Sequence, residues 1–257
     1  MKVARAAAAL ALAAAIAGCA AQTPPDETAP EETAAPSPTA ETAPATVTPT
    51  PTPSGWTAPD SCAGIEAGAT VDGADLGACV QDVLVAQGSG RISLSGPMLR
   101  GTVDFTFEPD YAFHLDGTGG TDIPFDLWFV DGAHWLDRGD GAVEADASSD
   151  DRDQQIAAEA ADYAAPFSDP RAIAELIAAS PAWEVAAEPA AAGVYRIAST
   201  APFRWNEVDV DTFVLRLASD ATPLSAEVAL TVHGFAGTVT QTFERLGQPV
   251  EITAPTG

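Results

Sequence analysis

No apolar run in this chain is long enough to cross a bilayer as a helix. The one candidate, residues 6–17, falls short of the about 20 residues a span requires. Basic residues are scarce. Eleven Lys and Arg face 37 Asp and Glu, for a net charge of -26 over 257 residues. That balance excludes nucleic acid as a partner, because phosphates need a basic surface. It also excludes a domain held flat on anionic headgroups by charge. Most of the acids read as a solvating surface. Cysteine is limited to Cys19, Cys62 and Cys79, and histidine to His114, His134 and His233. Neither set has metal-ligand spacing. There is no G-x-S-x-G elbow, no P-loop and no dinucleotide fingerprint. No enzyme activity, metal or cofactor is expected. Residues 20–55 contain no aromatic residue and no leucine. Such a stretch cannot bury enough apolar surface to offset the entropy of ordering it.

What stands ahead of that stretch is informative. Lys2 and Arg5 precede the apolar run, which closes on Ile16-Ala17-Gly18-Cys19. This resembles the lipobox of a bacterial lipoprotein signal peptide. The resemblance implies that residues 1–18 are removed and that Cys19 becomes the first mature residue. Its thiol would carry a diacylglycerol with palmitate-like chains. Two acyl chains anchor stably where one is marginal, at about 0.8 kcal/mol per buried methylene. The expected location is the extracytoplasmic face of the cell membrane. Losing Lys2 and Arg5 takes the charge from -26 by two units, to near -28. Residues 19–55 then form the lipidated cysteine and a Pro/Thr/Ala-rich tether. It reaches at most about 110 Å extended, and roughly 30–40 Å as a coil. An exported chain meets an oxidising compartment, so Cys62 and Cys79 are expected to pair. The short loop so closed is worth about 3 kcal/mol.

Residues 56–257 suit a single domain. Positions 72–88 predict an amphipathic helix, with Leu76, Cys79, Val80, Val83 and Leu84 at helical spacing and Gly88 as its end. Period-two alternation follows. Val103, Phe105 and Phe107 share a face, as do Tyr111, Phe113 and Leu115, then Ile123, Phe125, Leu127 and Phe129. Trp128 and Val130 point the other way, and Gly132 turns the chain into 133–138. Residues 91–99 open this antiparallel meander, bent or ended near Pro97. The middle is helical over 154–164, with Ile156, Ala160 and Tyr163 on one side. A second helix there has Asp169 as N-cap and Pro170 at its first position. It carries Ile173, Leu176 and Ile177 and stops at Pro181. Strands return at 194–197, 207–217, 224–233, 235–243 and 250–252. Val208 and Val210 are out of phase with Phe213, Leu215 and Leu217, which predicts a bulge near Asp211. Helices segregated beside an antiparallel sheet make α+β. The acidic stretch 137–153 offers oxygens of the kind calcium takes. Glycines stand where an EF-hand needs Asp or Asn, so a solvated loop is the better reading.

Four features now converge. They are the lipobox, the element order and two local runs. One run is Asp131-Gly132-Ala133-His134-Trp135. In the other, Gly247-Gln248-Pro249 leads into Val250-Glu251-Ile252 and Pro255. Together they resemble the LolA-like lipoproteins, in particular the actinobacterial LppX/LprA/LprF/LprG branch, over most of 72–255. The cysteine pair departs from that pattern. The resemblance implies a curved antiparallel half barrel with helices on its concave face and an apolar cavity between. It implies a monomer that carries or shelters a lipid or glycolipid in the cell envelope. The cavity is assigned to Phe105, Phe107, Phe113, Phe125 and Phe129 of the sheet, and to Ile173, Leu176 and Ile177 of the helix. Composition bears on this separately. The sheet is bulky, whereas the helices present Ala157, Ala158, Ala160, Ala161, Ala164, Ala172, Ala174, Ala178 and Ala179. Interiors pack to crystal-like density, so either a ligand fills the gap or the helices sit very close. Trp128 or Trp135 either rims the mouth or packs on neighbouring strands. The alternative function is a non-catalytic, tethered interaction or sensor module that meets an envelope protein partner on its exposed sheet face.

Overall fold

The computed structural model describes residues 56–255, apart from residues 121, 189, 191–192, 207 and 233. The lipobox, Cys19, the tether and His233 lie outside the described residues. The chain enters through a short 3-10 turn at Asp60–Cys62 and strand β1 (Thr70–Asp72). Helix α1 (Gly73–Gln87) leads to β2 (Ser89–Ser95), β3 (Leu99–Thr106), β4 (Ala112–Gly119), β5 (Pro124–Val130), β6 (Ala133–Asp137) and β7 (Val143–Glu144). Helices α2 (Arg152–Ser168) and α3 (Pro170–Ala178) follow. The chain then returns to strands: β8 (Ala182–Val185), β9 (Val194–Ser199), β10 (Phe203–Trp205), β11 (Val208–Ala218), β12 (Pro223–Val232) and β13 (Phe235–Glu244).

These strands form one open antiparallel sheet, ordered β1-β8-β9-β11-β12-β13-β2-β3-β4-β5-β6-β7, with β10 also paired to β11. Its curvature follows from α1. That helix starts where β1 ends and finishes where β2 begins, and those strands stand six places apart. Six interstrand steps cover about 29 Å on a flat sheet. A 15-residue helix is only about 22 Å long. The helix spans the chord of a bent sheet, so the fold is α+β with its helices on the concave face.

Local chemistry sets each helix. The Asp72 carboxylate accepts from the Ala74 N–H, and Gly88 closes α1 at φ 76°. Leu76, Cys79, Val80, Val83 and Leu84 are fully buried. Asp169 caps α3 by accepting from the Arg171 N–H, with Pro170 in the first turn. The small residues of α1 and α3 serve close approach. A Cβ on Gly73 would fall 1.7 Å from the Ser180 carbonyl oxygen, and one on Gly77 2.7 Å from that of Ala174. Ala157, Ala161 and Ala164 of α2 are buried in the core as well. Much of the alanine therefore brings helix against helix and helix against sheet.

Cys62 and Cys79 form the expected disulfide. It ties the entry turn to α1 inside a small apolar cluster with Val83, Ala221 and Trp56. The bulge falls as expected, between Val210 and Thr212. Asp131 and Gly132 both adopt positive φ, 54° and 80°, as a tight two-residue hairpin requires. Two expectations fail. Residues 250–252 are not a strand. The sheet ends at Glu244, Arg245 turns at φ 54°, and the chain is caught by bonds between Ser89 and residues 247–248. Pro249 then has no N–H to offer a ladder. The acidic stretch is not all loop either, since β7 pairs with β6 inside it. The short strands β1, β7, β8 and β10 span two to four residues, too few to show a period.

Candidate ligand-binding site

The inner face of the sheet tapers along its strands. At one end β4 presents Phe113 and Leu115, and towards the other it presents Gly117 and Gly119. Strand β3 runs from Phe105 through Val103 to Gly101. The glycines meet across the ladder, Gly101 opposite Gly117 and Leu99 opposite Gly119. Phe125 stands beside Gly117 on β5. Gly101 needs its hydrogen, because a Cβ there would fall 2.2 Å from the Asp116 carbonyl oxygen. Gly119 is different: a Cβ there would meet nothing within 4 Å. At Gly119 the face has lost a side chain without the backbone closing in, whereas at Gly101 and Gly117 neighbouring backbone takes the space.

Helix α2 crosses this thinned region, packing on β6 and β7. Between helix and sheet lies an apolar groove of about 370 Å³. Its floor is Met98, Leu99, Gly119, Gly120, Ile123, Phe125 and Leu136. Its other wall is Ile156, Ala160, Tyr163 and Ala164 of α2. Arg138 is its one charged lining residue and also lines an adjoining cleft of about 120 Å³ with Asp140, Val143 and Asp153. The Arg138 guanidinium lies 3.6 Å from Asp153. An apolar trough thus runs into a small charged annex. Small-molecule sites combine a mostly apolar lining with a few placed polar groups. Burial raises the Tyr163 phenol above its ordinary pKa, so it stays a neutral donor at the groove wall.

The opposite end is closed. Phe105, Phe107, Tyr111, Phe113, Phe129 and His134 form a chain of ring contacts, with centroids 4.9–6.4 Å apart. The Arg171 guanidinium lies 3.7 Å from the Tyr111 ring centroid and 5.3 Å from that of Phe129. Arg171 also forks onto Asp169, which accepts from the Tyr111 hydroxyl. Burial first, then Asp169, holds the Tyr111 phenol well above its ordinary pKa. Burial lowers the His134 pKa, against opposing pulls from Asp169 and Asp162.

The expected cavity residues divide between these regions. Phe125 lines the groove. Phe107 and Phe129 belong to the ring cluster, and Phe105 and Phe113 are fully enclosed in it. Ile173, Leu176 and Ile177 are buried on α3, which packs against α1. The groove residues absent from that expectation are Met98, Leu99, Ile123, Leu136, Ile156 and Tyr163. The signal that finds them is the switch from bulky residues to Gly117 and Gly119 in a strand that keeps its alternation.

No protein-family model matches this chain, and no curated protein does. Among solved structures it is similar to LprF from Mycobacterium bovis, with a TM-score of 0.43 and 12% identity, over 75% of this chain and 100% of that one. It is also similar to the lipoprotein LppX from Mycobacterium tuberculosis, with a TM-score of 0.44 and 12% identity, over 69% of this chain and 98% of that one. Both carry names of the branch that the sequence resembles.

Several of the remaining chemistry-bearing residues have structural partners. His114 bonds Asp126 at 2.7 Å and stacks on Trp128 at 4.7 Å on the outer face. Asp137 accepts from the N–H groups of Gly139 and Gly141, Asp146 from Ser148, and Asp151 caps α2. Among the described residues no group of three His, Cys, Asp or Glu could hold a metal ion.

Proposed function

We propose that this protein is a lipoprotein anchored through Cys19 that binds and shelters a lipid, glycolipid or other amphiphile in the groove beneath α2. It works at the extracytoplasmic face of the membrane, as a monomer and without catalysis. The observation that carries this reading is the groove's construction. Its walls are apolar, its floor is opened by glycine, and its polar groups gather at one side. A slender apolar group fits between Phe125 and Ala160. The polar end of the cargo then meets Arg138, Asp140 and Asp153. Of the cavity residues expected from sequence, Phe125 remains the proposed cargo contact.

The test is direct. Protein made in an actinobacterial host is extracted with organic solvent and the extract read by mass spectrometry. A bound amphiphile in stoichiometric amount is expected, and Ala160→Trp protein is expected to come out empty. Native protein that is itself empty, and that takes up no fluorescent fatty acid, would overturn the proposal.

A second reading rests on the outer face. Asp104, His114, Trp128, Trp135 and Glu144 stand opposite one another on five successive strands. Half-buried aromatics on a solvent face suit a protein partner in the envelope. Crosslinking that captures one stoichiometric protein through this row, with no lipid bound, would favour it.

A further inference from the structure

The end of the sheet where the groove opens is also where the inner face runs past its own core. Phe235 is 70% exposed and Ile123 56%, the two most exposed large apolar residues among the described ones. Both have the parity of the buried face. Phe235 continues the row of Phe243, Gln241 and Val239, and Ile123 the row of Leu127 and Phe125. The rim between them is continuous. A Cβ on Gly237 would fall 2.6 Å from Pro97, and one on Gly120 lies 3.7 Å from Met98. Met98, Ile123 and Tyr163, itself 41% exposed, line the groove. Among the described residues, nothing covers these inward side chains that overshoot their core.

Charge separates this end from the other. The turns at the closed end carry Glu108, Asp110 and Asp131, all exposed, against one exposed basic residue, Arg245, in the turn after β13. At the open end the turns 96–98 and 120–123 carry one acid, Asp122, paired with Arg100 at 3.2 Å. Arg138 and Arg204 stand nearby, each opposite an aspartate at 3.6 Å. A chain of net charge -26 is repelled by anionic headgroups over most of its surface. This neutral apolar rim is where it can meet them.

We infer that this rim docks on the phospholipid bilayer, with Phe235 and Ile123 entering the headgroup boundary, so that the groove loads directly from the membrane. The inference rests on the amphiphile-binding reading above. The sequence supplies the reach: 36 residues separate Cys19 from residue 56. A tether of that length holds the domain at high effective concentration over the surface, so two shallow side chains suffice for repeated contact.

The experiment uses the full chain on phosphatidylcholine vesicles with nitroxide-labelled acyl chains. A polarity-sensitive thiol probe is placed by Ala236→Cys beside Phe235, or by Asp110→Cys at the acidic end, with the unsubstituted chain as blank. Strong quenching at residue 236 and none at residue 110 is expected. Phe235→Ser, at a residue outside the groove lining, should slow extraction of a fluorescent lipid from vesicles by about tenfold or more, the worth of one buried apolar side chain. Its affinity for a short-chain fatty acid added from solution should stay unchanged. Equal quenching at both positions, or none at either, would overturn docking while leaving amphiphile binding intact. A dimer that Phe235→Ser disperses would overturn it too, by assigning the rim to a second copy. If the short-chain ligand never binds, the amphiphile reading fails, and the quenching result still judges the rim.

Discussion

The two ends of this sheet share strands, alternation and an inner face, yet one is sealed and the other open. At the sealed end Phe113 stacks on Phe129 and Phe105 meets Phe107, and Tyr111, Asp169 and Arg171 bolt the start of α3 over them. At the open end the same strands present Gly101, Gly117 and Gly119, and α2 lays Ala160 and Tyr163 over the gap. The comparison teaches that apolar patterning fixes which face is inside. Side-chain volume along the strand decides whether that inside is filled.

The sharpest way to break the comparison is to truncate one ring at each end. Phe113→Ala should cost about 3–5 kcal/mol, because a fully packed site cannot collapse around the void. Phe125→Ala, in a half-open site, should cost less than about 2 kcal/mol but weaken amphiphile binding. Urea denaturation with a fluorescent fatty acid titration reads both; equal stability losses would mean that the ends are packed alike. Filling the groove should do the reverse. Ala160→Trp and Gly119→Leu are each expected to weaken binding at least about tenfold, near 1.4 kcal/mol, with stability unchanged or raised. Undiminished binding in both would move the cargo elsewhere.

A smaller effect is expected at the bolt. Tyr111→Phe removes the hydroxyl that Asp169 accepts from, and should cost about 1–2 kcal/mol without altering ligand affinity. A thermal melt and the same titration separate the two. The smallest effect is one of pH. Burial lowers the His134 pKa in the folded state, so the unfolded chain binds the proton more readily. The contribution is whole above the unfolded value of about 6.5 and is lost as pH falls through it. His134→Gln should therefore flatten the decline in stability between about pH 6.5 and pH 5. A variant whose stability falls as steeply as that of the native chain would show that His134 plays no part.

Much of this was legible in the chain. The α1 periodicity, the Asp169-Pro170 start of α3, the Asp131-Gly132 turn and the bulge near Asp211 are local statements, and local sterics and hydrogen bonds honour them. The end of the sheet was not legible. Val250 and Ile252 alternate like a strand, but Arg245 turns the chain away and Pro249 lacks the donor a ladder needs. Nor was the groove. Phe105, Phe113 and Phe125 look alike in an alternating pattern. Ring contacts enclose the first two, and Gly117 and α2 leave the third facing open space.

The sequence by itself determined the inward faces, the helix caps, the cysteine pair and the acidic surface. Each depends on residues near in the chain or on composition. Only the tertiary structure decided where α2 crosses the sheet, and with it which end is sealed and which is open. That crossing depends on how close glycine and alanine let distant backbones approach, a sum of contacts between segments that no single window of the chain contains.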